Sequence, residues 1–152
     1  MALWQQIVDV LKEQMFLYQA MFELAEKKSQ LVVDGKVREL EKLVLAEENL
    51  LTQGGKLELH RQELQEKLKD SLALHTEQLT LRLLIEHAPR EWRPVLTECE
   101  EGLLQSLEQL GRQNQLNGQL LENALRLVNY QLSILEPDAS GMQRRAYLDR
   151  KA

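Results

Sequence analysis

Three histidines, one cysteine and a cluster of acids are the side chains in this sequence whose types suit chemistry. His60, His75 and His87 never fall four apart, as two metal ligands on one helix face would. No Glu-x-x-His occurs, and Cys99, being alone, builds neither a zinc site nor an internal disulfide. Glu98, Glu100 and Glu101 crowd together where a helix begins, a place that suits acids because of the helix dipole, so they read as a solvated turn. No glycine-rich phosphate loop and no nucleophile elbow is present. The residues predict a protein that is not an enzyme and takes no metal or cofactor.

What remains to carry function is the helical scaffold. Of the 152 residues 43% are hydrophobic but only 5% aromatic, and there are 7 Gly and 3 Pro, which is the composition of long helices and coiled coils. The length suits one domain with a core of its own. The net charge of -5 opposes binding to nucleic acid unless a basic face is segregated. Arg144, Arg145, Arg150 and Lys151 set against Asp149 leave residues 142–152 at plus three, so the basic charge sits in a tail and not on a face. No run reaches eighteen apolar residues, and the opening MALWQQIVDVLKEQ lacks the basic-then-apolar order of a signal peptide. Together with the single cysteine, this predicts a soluble protein of the reducing cytoplasm with no membrane insertion.

The apolar spacing predicts an all-α fold: an antiparallel hairpin of two long helices, a short connector helix and a third long helix, packed as a coiled-coil-like bundle. Leu3, Ile7, Val10, Gln14, Leu17, Met21, Leu24, Lys28 and Leu31 alternate steps of four and three, a heptad seam with two polar interruptions. Trp4, Leu11, Tyr18, Ala25 and Val32 form a second row beside it, making the face wide enough for two neighbours. Asp34 and Gly35 stop that helix, and spacing resumes at Val37, so helices over 3–33 and 36–70 must pack antiparallel. The second keeps its repeat through Leu43, Leu50, Leu57 and Leu64 across Gly54 and Gly55, with a local kink expected at the glycines. Thr76 is the expected cap of a short helix around 79–87, broken at Ala88 and Pro89. A third long helix is expected over 91–135. Residues 1–136 then form a single helical domain, and 137–152 a flexible basic tail.

Asn117 and Gly118 are a strong turn pair, yet they fall within this third helix. Leu103, Leu107, Leu110, Asn114, Asn117, Leu121, Ala124 and Val128 keep heptad steps straight through them, so the helix is expected to run on. Asn114 and Asn117 then act as register pins on the row facing the hairpin, with Gly118 and Leu121 packing beside them. A second stripe, Leu116, Leu120, Leu127, Tyr130 and Ile134, points away from the first. The second stripe is either a core face buried by the hairpin or a homodimer or, since three helices cannot bury all of this apolar surface, a face covered by a different protein.

The run Asn114, Asn117, Gly118, Leu120 and Leu121, followed by an apolar helix and a Pro-terminated tail, resembles the FlgN family of flagellar type III secretion chaperones. The long first helix, the turn at Asp34 and Gly35, the pattern Glu47, Leu50, Leu51, Arg61 and the connector TLRLLIEHAP extend the resemblance over most of the chain. It implies a bacterial cytoplasmic chaperone that binds the C-terminal helices of hook-associated junction proteins and delivers them to the flagellar export gate. The client-binding residues are then Leu116, Leu120, Leu127, Tyr130 and Ile134. Tyr147 in the tail is, by the same resemblance, the residue that docks the export gate protein. The competing reading is a structural or adaptor coiled-coil protein whose second stripe is its own oligomer interface.

Overall fold

The computed structural model describes residues 2–77 and 79–135. The expected tail, 137–152, lies outside them. Four helices follow one another: α1 (Ala2–Asp34), α2 (Val37–Ser71), α3 (Leu81–His87) and α4 (Arg93–Leu135), and the described residues contain no strand. The all-α architecture and the unbroken passage of α4 through Asn117 and Gly118 are as the heptad count predicts.

The first hairpin turn follows from one glycine. The Gly35 N–H donates to the Val32 carbonyl at 3.2 Å and the Lys36 N–H to the Leu31 carbonyl at 3.1 Å, with Gly35 at φ +68. This pair of bonds closes the helix in a left-handed cap that glycine adopts without steric penalty. The far end of α2 closes in the same way, but with Ala73 at φ 53 in the glycine position. There the Ala73 N–H donates to Asp70 and the Leu74 N–H to Lys69, at 3.2 and 3.1 Å.

The connector departs from expectation at its start. The cap is Thr80, whose hydroxyl accepts from the Leu83 N–H at 3.1 Å, and not Thr76. A helix seven residues long has room for one cap only, and Thr80 has the extended backbone a cap requires. Ala88, preceding Pro89, is extended as proline demands, and the Arg93 guanidinium donates to its carbonyl at 2.9 Å, tying the break to α4.

α1 is the central helix. It packs against α2 on one flank and α4 on the other, while α2 and α4 do not pack against each other. The wide apolar face of α1 therefore serves both neighbours. The core lies where all four elements meet: Trp4, Ile7 and Leu11 from α1, Leu64 and Leu68 from α2, Leu84 from α3, Leu96 and Cys99 from α4. At the α1–α4 crossing, the Met15 thioether fills the space where a side chain on Gly102 would lie. Gly54 allows a similar approach on the other flank, with Leu17 3.3 Å from where its Cβ would sit, and α2 stays unbroken there.

Both polar interruptions of the α1 seam are answered by acids of α2. The Gln14 amide donates to Glu58 at 2.9 Å, and the Lys28 ammonium lies 3.2 Å from Glu47. Arg61 also grips Glu58 through Nε at 2.9 Å and through Nη2, and donates to Gln65 at 2.6 Å. A slip of one residue between the helices would leave these partly buried groups unpaired, so they set the hairpin register.

Two predictions follow from these contacts. Ala73→Gly relieves a left-handed alanine and should stabilise the fold by about 1 kcal/mol, raising Tm by about 2–4 °C in a thermal melt. Hydrogen bonds from Arg61, and then from Gln14, hold the Glu58 carboxyl below its ordinary value of 4.5. A depressed carboxylate stabilises the fold fully above that value and loses its effect as pH falls below it. Wild type should therefore exceed Glu58→Gln in Tm at pH 7, and the gap should close as pH falls below 4.5 toward 3. A gap that persists unchanged at pH 3 would contradict this role for Glu58.

Candidate helix-binding surface

The surface is built by a mismatch of lengths. Gly102 lies against Met15 and Asn117 against Ala25, so α4 runs parallel to α1. The Asn117 amide donates to the Ala25 carbonyl at 2.7 Å, and its oxygen accepts from Gln113 at 3.1 Å. Beyond that tie α1 has only residues 26–34, about 13 Å of helix, whereas α4 continues over 118–135, about 27 Å. Roughly the last nine residues of α4, 127–135, thus extend past the hairpin tip, and among the described residues no other helix lies beside them. Leu127, Val128, Tyr130, Leu132, Ile134 and Leu135 are all exposed there.

The residues that actually face α1 differ from the expected row at every second step. Leu96, Cys99, Ser106 and Asn117 are buried, and Leu103, Leu110, Gln113, Leu120 and Ala124 are partly buried, in alternating steps of three and four. The expected positions Leu103, Leu110, Asn117 and Ala124 lie in this row. Leu107, Asn114 and Val128 are exposed instead, and Leu121 is partly buried. Ser106 and Gln113 take the interleaved places, and because both are polar a search for apolar spacing passes over them.

Of the two asparagines, Asn117 makes the cross-helix bond and Asn114 faces out. Gly118 is also exposed, with nothing within 4 Å of where a Cβ would be. Leu116, Leu127, Tyr130 and Ile134 are exposed, while Leu120 is partly buried as part of the α1-facing row. At 50% exposed, Val128 is close to Leu127 at 58%, so the end of α4 is apolar on both sides and not on one stripe. Tyr147 lies outside the described residues.

A groove lies on one side of this assembly, since α2 and α4 flank α1 without closing over it. Its volume is about 570 Å³; Leu11, Gln14 and Tyr18 form its floor, with Glu58 and Arg61 on one wall and Leu104 and Leu107 on the other. Arg82 and Glu100, 3.3 Å apart, close one end. Burial, and after it the charge on Glu58, pushes the Tyr18 hydroxyl up. Burial also pushes the Cys99 thiol up, which keeps it protonated and inert. Among the described residues no three His, Cys, Asp or Glu side chains gather to hold a metal, and no helix is long and apolar enough to cross a membrane. An arrangement of long exposed apolar faces and self-paired charges can take up another helix.

Comparison with known proteins agrees with this architecture. The model of the FlgN family, described as FlgN protein, matches residues 1–151. No curated protein and no solved structure compared with the chain matches it. A match over nearly the whole length, on a chain whose long helices and connector are those the resemblance requires, places this protein in the FlgN family of flagellar export chaperones.

Proposed function

We propose that this chain works in the bacterial cytoplasm as the escort of hook-associated junction proteins, holding their C-terminal helices on the end of α4 and delivering them to the export gate. The observation that carries the reading is the overhang. Six large apolar side chains in 127–135 are exposed on a helix that the hairpin does not reach. Contiguous apolar surface of this kind is a mark of a protein-binding face. A client helix laid along it would bury Leu127, Tyr130 and Ile134, with Leu116 further down the same flank. Leu120, partly buried beside α1, would contribute at its edge. Holding such a helix would also keep the client from assembling early, because its own apolar face is covered. Docking to the gate, through Tyr147 in the tail, belongs to the same proposal.

In the free chain these side chains already face water, so charging them removes little from the fold. In the complex, each leucine-sized side chain buried by the partner is worth about 1.5–3 kcal/mol. Leu127→Glu and Ile134→Glu should therefore each weaken binding of a hook-associated C-terminal segment by roughly tenfold or more, with Tm unchanged within about a degree. Val128→Glu should behave as they do, since it is equally exposed, whereas Leu96→Glu, charging the core, should unfold the protein. If affinity is untouched by all three surface changes, client capture does not happen here. If those changes only split a homodimer and no segment binds, the face is an oligomer interface.

A further inference from the structure

Gly35 is required by its left-handed backbone, and Gly54 and Gly102 by the α1 side chains that press against them. Gly118 has neither reason: it is helical and exposed, and nothing lies within 4 Å of where its Cβ would be. A glycine inside a helix costs about 1 kcal/mol against alanine, so the position weakens α4 without a packing return. Its chemical consequence comes from the residue before it. Of the five asparagines in the chain, only Asn117 is followed by glycine. A backbone nitrogen can attack the side-chain carbonyl of a preceding asparagine to close a five-membered ring, and a Cβ on the attacking residue crowds that ring. Glycine has no Cβ.

In the docked helix the ring does not close. Helical bonding holds the Gly118 N–H toward the Asn114 carbonyl, and a helical backbone at Asn117 keeps the Gly118 nitrogen out of line for attack on the side chain. The amide itself is 4% exposed, donates to the Ala25 carbonyl at 2.7 Å and accepts from Gln113 at 3.1 Å. This protection lasts only while α4 lies on α1, and here the two are weakly held. The α4 members of the apolar core, Leu96 and Cys99, lie near the start of the helix. Beyond them the fully buried positions are Ser106 and Asn117, both polar, and Gly111 adds its own helix penalty to that of Gly118. Segments with few buried apolar contacts open at lower free energy than the core.

We propose that Asn117 is a covalent modification site of this chain, guarded by the docking of α4 on α1: when that stretch of α4 lifts away, the Gly118 nitrogen attacks the Asn117 side-chain carbonyl and the side chain deamidates. The new bond joins the Gly118 nitrogen to Cγ; the bond from Cγ to Nδ2 breaks, and the side-chain nitrogen leaves as ammonia with the proton that the Gly118 nitrogen gives up. One water then opens the ring, at one carbonyl to aspartate and at the other to isoaspartate. Neither product restores the tie. A carboxylate has no hydrogen to donate to the Ala25 carbonyl and would place a charge where the amide is buried. Isoaspartate also adds a methylene to the main chain and breaks the helical bonding. A chain whose α4 has opened and reacted therefore stays open. The proposal does not rest on the client assignment.

The test incubates the full chain at mildly alkaline pH, natively and in denaturing urea. Peptide mass spectrometry follows each asparagine, and isoelectric focusing reads the added negative charge. In urea Asn117 should convert faster than Asn114, Asn123 and Asn129, and in the native chain at least about tenfold more slowly than in urea. Gly118→Ala should bring its rate in urea down to that of Asn123, which already precedes an alanine, and should raise Tm. Leu110→Ala, two turns before Asn117 on the α1-facing row, should speed native conversion, as should urea below the unfolding transition. Asn117→Asp should lower Tm and speed amide exchange over 110–126. Equal rates at Asn117 in the native and denatured chain overturn the guarding role of the docked helix, as does a native rate that neither Leu110→Ala nor low urea changes. An unchanged rate in Gly118→Ala overturns the ring closure. Wild-type Tm and exchange in Asn117→Asp overturn the consequence for docking.

Discussion

The Asn117 amide donating to the Ala25 carbonyl sets how far α4 travels along α1 before it leaves the hairpin behind. Its oxygen accepts from Gln113 one turn earlier on α4 itself, so it is the donation to Ala25 that is satisfied at one alignment only. A shift of α4 by one turn would bury an unpaired amide, at a cost of about 1–3 kcal/mol. The proposed client surface is downstream of that alignment. It decides that the last nine or so residues of α4 have no neighbouring helix among the described residues, where their apolar side chains are exposed.

The same logic operates between α1 and α2. Polar residues at heptad positions weaken a seam, yet Gln14 and Lys28 each meet an acid of the opposite helix. Register is thus set on both flanks of α1 by hydrogen bonds and an ion pair, while cohesion comes from the apolar cluster where the four helices meet. The division matters for a chaperone. A core gathered at one end can hold the fold together while the other end stays open, so the binding surface need not contribute to the stability of the free protein.

Much of this was readable from residue order alone. Helix bounds came within two residues for the long helices because Gly35 and Pro89 punctuate them with known geometry. The end of α2 gave no such mark, since an alanine occupies the left-handed position at Ala73. Thr76 and Thr80 offer the same side chain four residues apart, and only the backbone shows which one caps α3. On α4, spacing located Leu103, Leu110, Asn117 and Ala124 correctly, then misassigned the residues between them. The helix carries apolar residues on several faces, and Ser106 and Gln113 are polar despite facing α1. The overhang was beyond reach because it depends on the alignment of two helices 92 residues apart in sequence, at the Ala25–Asn117 bond.

Family membership and the overhang converge on one physical account, in which the open end of α4 is kept apolar so that a foreign helix can complete it. Amide hydrogen exchange along α4, with and without a hook-associated C-terminal segment, tests that account most directly. It predicts slow exchange over 96–117 in both states, and fast exchange over 127–135 that slows markedly when the segment is added. Protection of 127–135 in the free chain equal to that of 96–117, or slowing confined to α2, would contradict it.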